Sequence, residues 1–134
     1  MIFLDTSFIV ALDVERDAHH IAATQLFEKL FGQDAYEMPL ISDYIFDESV
    51  TVAFGRTKSL AHAAKLGERL AESFSMKRVD THTFAEAWRL FCNQKNTALS
   101  FTDCTTIALM RQKSITQIAT FDEDFKKVAG ITVL

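Results

Sequence analysis

The sequence predicts an α/β fold, in the form of a three-layer α/β/α sandwich with a short, mainly parallel sheet. Short apolar runs alternate with longer segments whose apolar residues recur at helical spacing, which is typical of strands covered by helices on both faces. The chain has 134 residues, one proline and four glycines, with no repeat or low-complexity stretch. We therefore expect one domain over residues 1–134.

The first third of the chain predicts two strands and two helical segments. Residues 2–4 form a short buried strand, and Thr6 or Ser7 caps a helical turn to about residue 12. A helix follows that Asp17 can cap and that Gly32 ends. Residues 38–41 form a second, weaker strand.

Two successive helices interrupt the alternation in the middle of the chain. Ser42 caps a helix that runs to about residue 56, and another amphipathic helix follows directly after Thr57. The third strand comes only at residues 76–79.

The last third of the chain predicts two more helices and two more strands. Thr81 can cap a helix whose apolar face carries Phe84, Trp88 and Phe91, which we expect in the core. Thr102 caps a helix through about residue 112. The remaining elements are strands at 117–120 and 131–134, with a short helical turn between them that begins at Asp122.

Composition and charge exclude several classes of protein. The only cysteines, Cys92 and Cys104, form no CxxC motif and have no histidine at a ligand spacing, so a disulfide framework or structural zinc is not expected. The N-terminus has no basic leader and no membrane span, and we expect a cytoplasmic protein. A net charge of −4 argues against broad nucleic-acid binding but allows an acidic pocket beside local basic residues.

Four acidic residues occupy positions that the predicted fold can bring together. Asp5 follows the first strand and Asp122 follows the fourth, and ligands of parallel sheets bind at the carboxyl ends of strands. Asp103 lies in the first turn of a helix, and Glu48 lies in a helix that is otherwise largely apolar. Each acid alone has a simpler interpretation, as a helix cap or a solvated residue. The set of four favours a functional site.

Four neighbouring carboxylates repel one another unless protons or cations separate them. Oxygen ligands suit Mg²⁺ or Mn²⁺, and such an ion can activate water and stabilise charge on a phosphate. The acidic set therefore predicts metal-dependent hydrolysis of a phosphodiester.

Four segments of the chain resemble a known family: 2–7, the helix around Glu48, 99–104 and 119–125. Their order and spacing resemble the PIN-domain ribonucleases, and within them the VapC-type toxins of toxin–antitoxin pairs. The resemblance spans nearly the whole chain. It implies an α/β/α sandwich and an endoribonuclease that needs Mg²⁺ or Mn²⁺. It also implies an RNA substrate, a homodimer and a cognate antitoxin that blocks the site.

The resemblance assigns the acidic set to Asp5, Glu48, Asp103 and Asp122, as metal ligands and catalytic residues. Asp5 and Asp103 would be the firmest ligands, and Asp124 could replace or assist Asp122. Further residues next to the acids form a second tier of candidates: Thr6, Ser7, Thr102 and Asp124.

Arg56 is the best candidate for contacting RNA phosphates, because it lies two helical turns beyond Glu48 on the same side. His19 and His20 are expected to be surface or capping residues, and Cys104 a small buried residue.

Three other functions compete with the ribonuclease. A phosphotransferase of the haloacid-dehalogenase type needs a second Asp two residues after Asp5, where Ser7 stands. A receiver-like signalling domain needs an acidic pair after the first strand and a lysine after a later one, and neither is found. A catalytically silent PIN-like protein-binding module would be favoured by a missing acid, and all four are present.

Overall fold

The computed structural model describes residues 1–35 and 37–134, which form a parallel sheet and the helices around it. The five strands in this part of the chain are β1 (Ile2–Leu4), β2 (Pro39–Ser42), β3 (Ser75–Lys77), β4 (Gln117–Ala119) and β5 (Thr132–Val133). The α-helices are α1 (Thr6–Asp13), α2 (His20–Phe31), α3 (Asp43–Thr57), α4 (Leu60–Ser73), α5 (Thr81–Cys92) and α6 (Phe101–Gln112). A 3₁₀ turn spans Glu123–Lys127.

The sheet has the strand order β3-β2-β1-β4-β5, and every pairing is parallel. All three residues of β1 are buried, as expected for a central strand whose two faces are both covered. Phe3 lies beside Ile118 and Leu4 beside Ala119, which aligns the carboxyl ends of β1 and β4. The predicted α/β fold with a short parallel sheet is confirmed.

The direction in which the sheet grows reverses between β1 and β4. From β1 the chain continues to β2 and β3 on one side, and it then returns to place β4 on the other side of β1. Such a reversal leaves a crevice at the carboxyl ends of the two strands, since the connections leave in opposite directions. The residues that follow β1 and β4 therefore line a natural binding position.

The helices pack in two groups around this sheet. α1 contacts α2 and α3, and α3 contacts α4, whereas α5 packs chiefly against α6. Eight consecutive residues of α6, from position 103 to position 110, are buried. This helix is therefore central, and its first turn is held in a fixed place beside the sheet.

The helix boundaries correct several predicted caps. Asp5, and not Thr6 or Ser7, caps α1, and Asp80, not Thr81, caps α5. Asp17 accepts a hydrogen bond from the His19 backbone N–H at 2.8 Å but lies before the cap position of α2, which His19 occupies. In each case a neighbouring polar residue takes the role, because sequence alone leaves the start of a helix uncertain by one or two residues.

The apolar face of α5 also differs from its prediction. Thr83 and Ala87 face the core, whereas Phe84, Trp88 and Phe91 are 48%, 56% and 38% exposed. The prediction that these aromatic residues fill the core is wrong. They pack around the half-buried ring of Phe101 at centroid distances of 5.1–6.3 Å and form an aromatic face on the surface.

No helix in the described part of the chain is both long and apolar enough to cross a membrane.

Candidate active site

A cleft of about 400 Å³ opens at the carboxyl ends of β1 and β4. It brings together the four acids of the sequence prediction, which come from four separate parts of the chain: Asp5 after β1, Glu48 in α3, Asp103 in α6 and Asp122 after β4. Its other lining residues are Thr6, Ser7, Val10, Asp17, His19, Val52, Arg56, Ser100 and Phe121. The cleft is therefore acidic at its centre.

Asp5 is held by hydroxyl groups on one carboxylate oxygen only. Ser7 Oγ donates to Asp5 Oδ2 at 2.8 Å, and Thr120 Oγ1 donates to the same oxygen at 2.7 Å. The second oxygen, Oδ1, is buried and has no hydrogen-bond partner in residues 1–35 and 37–134. A buried carboxylate oxygen without a partner is costly, so this one marks a position for a ligand that supplies positive charge.

The pKa values of two cleft carboxylates are raised. Burial raises the pKa of Asp5, and the hydrogen bonds from Thr120 and Ser7 oppose this rise. Burial, with the charges of Asp5 and Asp122, raises the pKa of Asp103 to about 7. These carboxylates thus share a region in which negative charge is unfavourable until a cation enters it.

Asp103 both lines the cleft and takes part in a helix cap. Its Oδ2 accepts from the Ser100 backbone N–H at 2.8 Å, and Ser100 Oγ accepts from the Asp103 backbone N–H at 3.1 Å. This reciprocal pair is a capping box that starts α6, and it corrects the prediction that Thr102 caps this helix. The capping box holds the Asp103 carboxylate at the cleft through Oδ2, and the other oxygen, Oδ1, takes no part in the cap.

The structure separates Asp122 from Asp124. Asp122 lines the cleft and caps the 3₁₀ turn through its Oδ1, which accepts from the Asp124 N–H at 2.9 Å. Asp124 does not line the cleft; it accepts from the Ala98 N–H at 2.8 Å and pairs with Lys127 at 2.7 Å, and the bond from Lys127 lowers its pKa. Of the two, Asp122 is the better placed for chemistry.

The other residues predicted from the sequence also divide into those that line the cleft and those that do not. Thr6 and Ser7 line the cleft, whereas Thr102 does not, and its backbone carbonyl accepts from the Thr105 and Thr106 hydroxyls. Arg56 lies at the cleft, where its guanidinium pairs with Asp17 at 2.5 Å and lowers the pKa of that carboxyl.

Cys104 follows Asp103 but is buried within α6. Burial and the charge of Asp103 raise the pKa of its thiol to about 11. It is a packing residue and not a nucleophile, since only the thiolate attacks.

Three contacts at or beside the cleft were not predicted from the sequence. Thr120 binds Asp5 and, through its Oγ1, also accepts the Asp122 N–H at 3.0 Å. The sequence feature that could have indicated Thr120 is its position directly after β4, the strand that pairs with β1. His19 and Phe121 line the cleft as a stacked pair, and no sequence spacing indicates that contact.

A second buried carboxylate, Asp13 at the end of α1, provides a contrast. Its side chain is 3% exposed, and both of its oxygens are engaged by side chains of α4. His62 Nε2 lies 2.6 Å from Oδ2, and the Arg69 guanidinium donates to Oδ1. His62 and Arg69 therefore tie α4 to the end of α1.

The family model described as the PIN domain matches residues 2–131 of this chain. The chain belongs to the PIN-domain family. The family that the sequence resembles is thereby confirmed, and the haloacid-dehalogenase and receiver alternatives are rejected.

Two relatives and two solved structures resemble this PIN domain over its full length. The protein named 23S rRNA-specific endonuclease VapC20, from two strains of Mycobacterium tuberculosis, is 30% identical, with 99% of this chain and 98% of the relative covered. The crystal structure of that VapC20, described as a sarcin–ricin loop cleaving toxin, superposes with a TM-score of 0.84 over 98% of this chain and 97% of that one.

VapBC2 from Rickettsia felis, bound to a DNA fragment from its promoter, has a TM-score of 0.69 at 14% identity, with 100% of this chain and 98% of that one covered. This likeness shows the fold. Together with the family, VapC20 confirms the predicted class of enzyme, a toxin-type PIN-domain endoribonuclease.

The chemistry of the cleft suits a divalent cation. Its donors are carboxylate oxygens, and Asp5 Oδ1 lacks the partner that such an ion would provide. The carboxylates surround the cleft without closing on one point, for the described residues contain no group of three His, Cys, Asp or Glu side chains set to hold an ion. Mg²⁺ tolerates this arrangement, since it keeps several waters and takes only one or two carboxylates directly.

Proposed function

We propose that this endoribonuclease depends on Mg²⁺ or Mn²⁺ and that Asp5, Glu48, Asp103 and Asp122 form its catalytic set. The observation that carries the proposal is the unpartnered Oδ1 of Asp5, buried at a cleft that all four carboxylates line. A site that concentrates negative charge and leaves one oxygen without a partner is built to receive a cation.

The residues divide the work according to their positions. Asp5 and Asp103 hold the cation, because they are the acids fixed most firmly, by Ser7 and Thr120 and by the capping box. Asp122 and Glu48 complete the charge around the cleft. When bound, the ion supplies the positive charge that acidifies an attacking water and stabilises the phosphate oxygens.

Arg56 assists at the edge of the cleft. Its guanidinium is 42% exposed and held by Asp17, so it can contact a phosphate of the bound RNA without a large rearrangement. Arg56 is thus a binding residue whose contribution decreases as salt rises.

We propose the sarcin–ricin loop of 23S ribosomal RNA as the substrate. The support is the 30% identity to VapC20 over almost the entire length of both chains, together with the TM-score of 0.84. Because ribosomes are cytoplasmic in bacteria, this substrate would support the cytoplasmic location that we also propose.

We further propose a cognate antitoxin and a homodimer. The antitoxin is supported by the toxin relatives. The second copy is supported by the aromatic face of α5, since monomers rarely expose three neighbouring large aromatic side chains. Sedimentation velocity should find a dimer for the wild type and a monomer for Trp88→Glu. A dimer that survives this change would remove the face from the interface.

The direct test is incubation of purified, antitoxin-free protein with ribosomes and with a sarcin–ricin loop hairpin in Mg²⁺ or Mn²⁺. Controls are Asp103→Asn protein and EDTA. We expect a single cut that both controls abolish.

Each alternative outcome corrects a different part of the proposal. Cleavage of other RNA with the loop intact would keep the enzyme and change the substrate. Cleavage that survives EDTA would reject the metal. No cleavage of any RNA by folded protein would favour the catalytically silent binding module.

A further inference from the structure

A column of three aromatic rings runs from the core to the edge of the cleft. Phe8 is fully buried, and its ring stacks on Phe121 with centroids 5.9 Å apart and planes inclined by 19°. The ring of His19 also stacks on Phe121, with centroids 4.3 Å apart and planes inclined by 8°. Phe121 is half-buried and His19 is exposed, so the imidazole is the outermost ring of the column.

The middle ring of this column, Phe121, is hydrogen-bonded through its backbone to a hydroxyl that also holds Asp5. The backbone N–H of Phe121 donates to Ser7 Oγ at 3.0 Å, and that hydroxyl is the one that holds Asp5. Phe121 also directly precedes Asp122 in the chain. The position of the ring is therefore fixed relative to two of the four carboxylates.

His19 is placed by the carboxylate that also places Arg56. Asp17 Oδ1 accepts from the His19 backbone N–H at 2.8 Å, and Asp17 Oδ2 binds the Arg56 guanidinium at 2.5 Å. Both groups line the cleft. Asp17 thus fixes two groups at the rim of the cleft, the ring of His19 from the loop between α1 and α2 and the guanidinium of Arg56 from α3.

A flat ring backed by another ring, beside a cation and an acidic centre, matches the chemistry of single-stranded RNA. Each nucleotide carries a π face and a phosphate, and proteins recognise unpaired bases by stacking them on aromatic rings, including histidine. Bases within a duplex are already stacked and cannot reach such a ring.

We propose that His19, backed by Phe121, is a stacking platform for one unpaired nucleobase next to the phosphate that is cleaved. This inference rests on the proposed ribonuclease function and deepens it: the platform selects loops and single strands over duplex RNA. His19 is a contact for the substrate base and takes no part in holding the cation.

The matched variants are His19→Ala, which removes the ring, and His19→Phe, which keeps a flat ring without its nitrogens. His82→Ala is the control, since His82 is an exposed histidine of α5 that does not line the cleft. The substrates are the sarcin–ricin loop hairpin and a set of the same RNA, each with one abasic nucleotide near the cut. The measured quantity is kcat/KM, beside Tm for each variant.

On intact RNA, His19→Ala should lose about 5-fold to 100-fold in kcat/KM, the range expected for one base stacked on an aromatic ring. His19→Phe should stay within about 3-fold of wild type, since stacking accounts for most of the contact. One abasic RNA should be cut equally well by wild type and His19→Ala, because the partner of the ring is then missing from both.

Three results would overturn the proposal. His19→Ala could cut intact RNA as well as wild type does, or it could show the same deficit on every abasic RNA. Alternatively, His19→Ala could lower Tm and activity together while His19→Phe rescues neither, which is the behaviour of a residue that only covers Phe121.

A binding measurement separates this inference from the proposed function. If wild type cuts no RNA at all, the ribonuclease proposal fails. The affinity for a short, labelled, unstructured RNA, measured by fluorescence anisotropy, then tests whether His19 stacks on a base. Weaker binding by His19→Ala, restored by His19→Phe and unchanged in His82→Ala, supports it. Equal affinity for wild type and His19→Ala rejects it.

Discussion

Asp5 and Asp13 are two buried carboxylates at opposite ends of α1, and their surroundings are opposite as well. Asp5 is 3% exposed and has hydroxyl partners on one oxygen, whereas the side chain of Asp13 is 3% exposed and has a partner on each oxygen, the His62 imidazole and the Arg69 guanidinium. The protein itself compensates the charge of Asp13. It leaves one oxygen of Asp5 without a partner, and this difference supports our proposal that a cation binds at Asp5.

The comparison also shows why the cleft lowers the stability of the fold. Burying an unpaired charge destabilises a fold, and the raised pKa of Asp5 and of Asp103 expresses this cost. Below a pH of about 7, part of the cost is avoided by protonating Asp103. Above it, the negative charge of Asp103 stays uncompensated unless a cation binds, as we propose.

The largest expected effect is on cleavage by Asp5→Asn, which removes charge and keeps volume. We expect a loss of roughly 1000-fold or more in kcat/KM, because the cation loses its main ligand. Tm in EDTA should stay the same or rise, since an unpaired buried charge is removed. Asp13→Asn, compared at a temperature where it is folded, should cut RNA within about 3-fold of wild type.

A smaller effect separates the neighbours Asp122 and Asp124. Asp122→Asn should reduce kcat/KM by about 10-fold to 100-fold, because it removes negative charge from the cleft. Asp124→Asn should leave catalysis almost unchanged, since Asp124 is committed to Ala98 and Lys127. The reverse order of activities would assign the fourth acid to Asp124.

The third effect is on the stability of the fold and tests the role of Asp13. Asp13→Asn should cost about 2 kcal/mol, between the values for exposed and buried ion pairs, since His62 and Arg69 are 38% and 65% exposed. Thermal unfolding should show Tm lower by roughly 5–10 °C. An unchanged Tm would mean that the pairs with α4 contribute little.

The smallest effect concerns Arg56. Arg56→Gln should weaken RNA binding by about 3-fold to 10-fold at low salt and reduce the slope of log Kd against log salt by roughly one. Cleavage at saturating RNA should remain near the wild-type rate. A loss confined to the cleavage rate would place Arg56 in the chemistry instead.

The sequence alone predicted the sheet, the order of its elements and the acids that line the cleft. Strand ends and short apolar runs are local features, so 2–4 and 117–120 could be located without a structure. The convergence of Asp5 and Asp122 followed from the geometry of parallel sheets.

Other features depend on contacts between distant segments and could not be predicted. The apolar stripe of α5 has the spacing of a core face, and only the packing of α6 shows that Trp88 lies outside it. The stacking of His19 on Phe121 and the pairing of His62 with Asp13 join residues far apart in sequence, with no pattern to indicate them.

Calorimetric titration of Mn²⁺ into wild type, Asp5→Asn and Asp13→Asn at about pH 6 and about pH 8 tests the central claim most directly. We expect wild type and Asp13→Asn to bind the ion, with affinity about 10-fold higher at the upper pH and protons released on binding, since the pKa of Asp103 is about 7. Asp5→Asn should bind far more weakly. Equal affinity in wild type and Asp5→Asn would contradict the account, because the unpartnered oxygen of Asp5 would then not be the place that the cation fills.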